Sequence, residues 1–322
     1  MSSVKEETTI ETSSPTTSLE RLNIVSMNIA GCIPSHEAPS HWNQTTVTIA
    51  MRNEVLRTQP DILALQECPG GVDWATDVFD GYGYRAVGAN PSHAGWVVLL
   101  VRGDISTRNV PVGHNLPAVV AELVFNGEGK MKHSHRLLIS SVHLMYSKGG
   151  ATKRKTQVED LLTIALSETQ QSPLPFIIAG DTNMRESEDA VMEGGTIQLS
   201  DAWKLNGSDP KTRYPWDTVN HGSFFNRYQR IFGILMGASD TVNHGSSFNR
   251  YYGEGTQEYY ARYDRIYFKT VLPATSVKDS SRDFSSIDVL SFDLIANKPL
   301  TSKNHFLSDH FGLSSVINVT WK

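Results

Sequence analysis

Short, nearly continuous apolar runs alternate along this chain with stretches whose apolar residues recur at helical spacing. The runs read as strands: LNIVSM (22–27), DILALQE (61–67), GWVVLLVR (95–102), AVVAELVF (118–125), RLLISSVHL (136–144), PFIIAGD (175–181), YDRIYF (263–268) and HFGLSSVINVT (310–320). Helical patterns fall near 45–58, before Pro60, and over 151–170, ahead of Pro173 and Pro175. Many short strands with interspersed helices predict one α/β domain built on packed sheets, here spanning 21–322. Residues 1–20 are polar and rich in Ser and Thr, with almost nothing to offset the entropy of ordering, and are expected to form a disordered tail.

One repeat interrupts the pattern. DTVNHGSFFNRY (217–228) returns as DTVNHGSSFNRY (240–251), differing only at Phe224 against Ser247. The period is not sustained, so a solenoid is excluded. The duplication lengthens one loop over 217–251, or else the intervening QRIFGILMGAS (229–239) is translated non-coding sequence.

Composition narrows the picture in three ways. With 322 residues, 39% of them apolar, the chain can bury one large core, although length alone would also permit two domains. A net charge of −5 argues against a protein coated for non-specific duplex binding and leaves a local basic groove open. Cys32 and Cys68 make neither a disulfide framework nor a zinc cluster. No signal-peptide core or membrane-spanning run stands out, so a nuclear or cytoplasmic, non-secreted protein without membrane insertion is expected.

Chemistry enters at the ends of the strands. LNIVSM runs into Asn28, DILALQ into Glu67, LLISSV into His143, PFIIAG into Asp181 and Asn183, and HFLS precedes Asp309 and His310. Singly, each has a plain explanation: a side-chain turn, a solvated strand end, a core histidine or a helix cap. Together they are far less expected by chance, because strand ends along one edge of a sheet can converge on one point. No G-x-S-x-G elbow is present, and Ser308 is not read as a nucleophile. Lys153, Arg154 and Lys155 form either a phosphate-facing patch or a solvated turn.

The ordered set NIAG (28–31), QE (66–67), HL (143–144), GDTN (180–183), YDRIYF (263–268) and SDH (308–310) resembles the endonuclease/exonuclease/phosphatase superfamily, typified by deoxyribonuclease I. The resemblance implies a four-layered α/β sandwich, with two mixed β-sheets packed face to face between helices and the site at one end. It further implies Mg²⁺, with Mn²⁺ as the alternative, on Glu67 with Asn28 and Asp309 nearby; hard oxygen ligands suit that metal. Asp181 would orient and deprotonate the attacking water, and Asn183 would hold that water or a phosphoryl oxygen. His143 and His310 would donate to the non-bridging oxygens, with Asp264 keeping His310 in its donor form.

GDTNMRESED (180–189), DAW (201–203), RYPWDT (213–218) and RYDRIYF (262–268) narrow the resemblance to the 5′-tyrosyl-DNA phosphodiesterases, a DNA-repair group. On that reading Arg185, Trp216 and Asp217 border the substrate, although core or loop packing of Trp216 stays equally open. After His143 the chain departs from the group, reading LMYSKGG in place of a small acidic and hydroxyl pattern. The expected partner is a nucleic acid 5′ end or another phosphodiester. The same chemistry on a phosphoinositide, a sphingomyelin or an RNA tail, and a binding module without activity, stand as alternatives. No protein partner is legible.

Overall fold

The computed structural model describes residues 18–33, 40–126, 134–147, 149–168, 174–217, 260–269, 284–298, 307–308 and 310–321. Asp309 and all of the repeat beyond Asp217 lie outside the described residues, as does the expected tail up to residue 17.

The strands form two six-stranded mixed sheets and one small ribbon. The first sheet contains β1 (Ser18–Asn28), β2 (Ile62–Cys68), β3 (Tyr84–Ser92), β4 (Gly95–Arg102), β13 (Phe284–Ile295) and β14 (Gly312–Trp321), in the order β13-β14-β1-β2-β4-β3. The second contains β5 (Ser106–Val110), β6 (Ala118–Asn126), β7 (Ser134–His143), β8 (Phe176–Asp181), β9 (Ser200–Asp201) and β12 (Asp264–Lys269), in the order β5-β6-β7-β8-β12-β9. The ribbon pairs β10 (Trp216–Asp217) with β11 (Tyr260–Ala261). Ser18–Glu20 pair with β14, so the ordered domain begins before residue 21.

The apolar pattern explains the layering. Ile62 and Ala64 of β2 face the second sheet, in a core with Val119, Ala121, Ile139, Ile177 and Ile266. Leu63 and Leu65 face the other way, against Val47, Met51 and Val55 of α1 (Gln44–Arg57) and Phe79 of α2 (Val72–Phe79). On the far side, Leu138, Phe176 and Ile178 meet Val158, Leu161 and Ala165 of α3 (Ala151–Glu168). Strands covered on both faces read as unbroken apolar runs, which is why the central strands are so visible in the sequence. The result is the expected four-layered α/β sandwich. Two short helices, α4 (Asp189–Glu193) and α5 (Ala202–Leu205), lie beside β9 and β12. Among the described residues no helix is long and apolar enough to cross a membrane. Cys32 and Cys68 are buried and unlinked.

Each sheet contains a single parallel pair, β1 with β2 and β7 with β8, and a helical crossover joins the strands of each pair. Parallel strands end at the same edge. Asn28 pairs with Gln66, next to Glu67, and His143 pairs with Asp181. β12 runs antiparallel to β8, so its first residue, Asp264, pairs with Asp181 and completes the row. Close contact between β7 and β8 requires Gly180: its φ is +153°, and an added Cβ would lie 2.1 Å from the Val142 carbonyl oxygen.

Candidate active site

The two rows meet at one end of the sandwich. Asn28 joins them: its Nδ2 donates at 3.0 Å to Oε1 of Glu67 and at 3.0 Å to Oδ2 of Asp181. Its Oδ1 accepts from the Ala30 backbone N–H at 3.0 Å, which fixes the amide orientation, because the carboxylates can only accept. Asn28 thus presents its nitrogen to the Glu67 carboxylate and orients it.

Glu67 reaches this position through a β-bulge. The register of β2 against β4 shifts between Leu65 and Cys68, and Glu67 takes a φ of 53°. A bulge re-aims a side chain that regular pleating would place elsewhere. Gly95, with φ +105°, permits it, since a Cβ there would fall 2.7 Å from the Cys68 carbonyl oxygen. The Glu67 side chain is 18% exposed, against 2% for Asp181.

Asp181 is buried yet surrounded by donors. Besides Asn28, the Asn183 backbone N–H reaches its Oδ1 at 2.9 Å. Nε2 of His143 lies 3.5 Å and Nε2 of His310 3.9 Å from its Oδ2. Burial alone would raise this carboxyl, but His310, His143 and the two hydrogen bonds outweigh it and hold Asp181 below the ordinary aspartate range. Asn183 adopts φ 52°, and its Nδ2 bonds the Leu144 carbonyl at 3.2 Å.

The two histidines have different surroundings. Burial pushes His143 down to about 3, so its imidazole is neutral at neutral pH. Nε2 faces the Glu67 and Asp181 carboxylates and therefore carries the proton, while Nδ1 accepts from the Ser92 hydroxyl at 3.2 Å. His310 donates from Nδ1 to Oδ2 of Asp264 at 2.7 Å.

Sequence reasoning missed Ser92, the last residue of β3, and His93, in the turn that joins β3 to β4. The His93 ring packs 4.1 Å from that of His143, centroid to centroid, and burial lowers its proton affinity. The only signal was the PSHAG turn (91–95), attached to a strand that the apolar pattern does not reveal. Arg185 lies over the Tyr263 ring, 4.9 Å from its centroid, and donates to the Asn183 carbonyl. Trp216 and Asp217 are described as backbone only. Pro215 accepts from the Phe311 N–H at 2.7 Å, so the ribbon from which the duplicated loop departs is tied beside His310.

Arg154 corrects an expectation. It belongs to neither a phosphate-facing patch nor a solvated turn: it is fully buried, chelated by Glu188 at 2.9 and 2.7 Å, and its Nη1 donates to the carbonyls of Met145 and Ser147. The neighbouring Lys155 pairs with Glu159 on the same helix.

Two sets of side chains could hold a cation. Ligand atoms of Asp181, Asp264 and His310 lie within 4.8 Å of one another. In that set the Asp264–His310 hydrogen bond already engages both partners. The solvent-reaching carboxylate of Glu67, oriented by Asn28, offers a hard oxygen donor with room for retained waters, which fits a small divalent ion.

A family model described as "Endonuclease/Exonuclease/phosphatase family" matches residues 25–310. Among curated proteins, chicken tyrosyl-DNA phosphodiesterase 2 is 31% identical over 87 residues, covering 27% of this chain and 23% of that protein. The bovine protein of the same name is 23% identical over 187 residues, 58% of this chain and 39% of its own length. The matches thus span well under half of these relatives. Among solved structures, tyrosyl-DNA phosphodiesterase 2 from Caenorhabditis elegans superposes with a TM-score of 0.58 at 19% identity, over 92% of this chain and 75% of the other. The Danio rerio enzyme, solved with a single-strand DNA product, gives 0.56 at 18% identity, over 94% and 99%.

Proposed function

Since this chain belongs to the endonuclease/exonuclease/phosphatase family, whose members are hydrolytic phosphodiesterases, we propose that it cleaves a phosphodiester at a nucleic acid 5′ end, foremost a 5′-tyrosyl bond in DNA. The observation that carries the chemistry is Asp181, a buried carboxylate kept charged by Asn28, the Asn183 backbone and two imidazoles. Asp181 orients the attacking water and receives its proton. Asn183, whose Nδ2 donates one of its two hydrogens to Leu144, holds the water through Oδ1 or a phosphoryl oxygen through its second N–H.

His143 donates from Nε2 to a non-bridging oxygen, where charge accumulates as the water adds. His310 does the same, and Asp264 fixes its ring and holds it in its donor form. Glu67, aligned by Asn28, would hold Mg²⁺, with Mn²⁺ able to replace it, and Asp309 is the further ligand that the family resemblance implies. A divalent ion bound there supplies positive charge to the phosphoryl and leaving oxygens. Arg185, Trp216 and Asp217 border the substrate. A role in DNA repair belongs to the same reading, which the names of the curated relatives and the DNA product in the Danio rerio structure support, and a nuclear or cytoplasmic location is expected with it.

The purified protein is expected to release tyrosine from a 5′-tyrosyl oligonucleotide with Mg²⁺, leaving a 5′-phosphate, and to stop on chelation. Abasic DNA, poly(A) and inositol phosphates run in parallel. Cleavage confined to poly(A) or inositol phosphates would overturn the substrate and keep the chemistry; turnover unaffected by a chelator would overturn the metal.

A further inference from the structure

The segment after His143 contains an exposed ring on a backbone held by hydrogen bonds on either side of it. Tyr146 is 42% exposed, in the connection between β7 and α3. Leu144 donates its N–H to the Asp181 carbonyl, and its own carbonyl accepts from Asn183. The Met145 N–H bonds Oε1 of Gln157 at 3.0 Å, and the carbonyls of Met145 and Ser147 both accept from Arg154. Arg154 is clamped by Glu188, which also accepts from the Arg185 N–H. A buried ion pair thus ties the Tyr146 segment to the turn that follows Asp181.

One face of the Tyr146 ring rests on His93, 4.6 Å between centroids with 31° between planes. His93 rests in turn on His143, 4.1 Å away. His93 comes from the turn between β3 and β4, which Ser92 fixes through its contacts with the Gly95 carbonyl, the Ala94 N–H and His143. Three rings from two elements therefore form a column from the reacting centre to the surface. An exposed ring on an immobilised segment loses little entropy when another ring stacks on it.

Resting on the proposed phosphodiester chemistry, we infer that Tyr146, backed by His93, is the platform on which this site holds a flat aromatic ring carried by its substrate next to the scissile phosphate. Tyr146 is a specificity-determining residue and takes no part in bond breaking. The ring has two sources, the terminal nucleobase or the tyrosyl leaving group, and both stack by the same contact. Every base has such a face, so the platform selects for a ring without selecting a sequence.

The test compares the parent protein with Tyr146→Ala and Tyr146→Phe on four substrates. These are a 5′-tyrosyl oligonucleotide, the same with an abasic terminal residue, the same with a 5′-alkyl phosphodiester, and bis(4-nitrophenyl) phosphate. On the first, Tyr146→Ala is expected to raise KM about 10-fold at unchanged kcat, one stacked ring's worth, while Tyr146→Phe matches the parent. If the abasic substrate abolishes the difference, the ring is the base; if the alkyl substrate does, it is the tyrosyl group. Equal KM for Tyr146→Ala and the parent on every ring-bearing substrate, or a phenylalanine variant as weak as the alanine one, would overturn the platform. Parent activity on bis(4-nitrophenyl) phosphate alone would overturn the nucleic-acid reading, and the platform then stands or falls by whether Tyr146→Ala raises KM on that compound.

Discussion

Asp181→Asn is expected to lower turnover by roughly 10²–10⁴-fold, the usual contribution of a positioned general base, while the protein stays folded. The side chain keeps its shape but loses the charge that His310 and His143 face, and it can no longer accept the water proton. Two donors converge on the carboxylate, Asn28 Nδ2 and the Asn183 N–H, and an amide has only one oxygen to give them. A stability loss of about 1–3 kcal/mol should accompany the change, since one donor is left facing an NH₂ group. Steady-state kinetics and a melting curve on the same sample read both. Turnover within about 10-fold of the parent would remove Asp181 from the mechanism.

Asp201→Ala should cause the largest loss of stability. Its carboxylate bonds both Arg262 and Arg265, two guanidinium groups that are almost fully buried, and among the described residues Asp189 is the carboxylate that remains beside them. Burial, with the Arg265 charge next, already lowers the Arg262 pKa. Removing one member of a buried ion pair costs about 3–5 kcal/mol, because an uncompensated charge stays behind. A denaturant titration should show it, with a smaller loss for Asp201→Asn, whose oxygen still accepts. Activity should fall as well, since Asp264 lies between the two arginines in sequence and draws its position from them. A midpoint equal to that of the parent would mean that these charges do not hold the strand.

That network also shows where the sequence was legible and where it was not. DAW and RYDRIYF stood out as motifs that narrow the family resemblance, and their residues Asp201, Trp203, Arg262 and Arg265 form a buried cluster, with Arg262 over the Trp203 ring at 4.3 Å. The central strands could be read directly because helices or the opposite sheet cover both of their faces. Their ends then located Asn28, Glu67, His143, Asp181 and Asp264 along the two rows that the structure brings together. Besides the two-residue strands of the ribbon, the strands missed were β3, β5, β9 and β13, all at sheet edges. β13, for example, sets buried Ile287 and Phe292 next to exposed Asp288 and Asp293, and half-covered edges leave only a weak apolar signal. With β3 went His93. The bulge at Glu67 and the burial of Arg154 depend on register and on Glu188, 34 residues away, and no local pattern encodes either.

On the proposed mechanism Glu67, from the first sheet, would hold the metal, while Asp181, from the second, and His310, oriented by Asp264 of the second, would move the proton and bind the phosphoryl oxygens. Mn²⁺ binding followed by electron paramagnetic resonance separates these roles without requiring turnover. Glu67→Ala should lose Mn²⁺ and activity together, whereas Asp181→Asn and His310→Ala should retain Mn²⁺ and lose activity. Mn²⁺ affinity kept in Glu67→Ala and lost in Asp181→Asn and His310→Ala would contradict the division and place the ion on Asp181, Asp264 and His310.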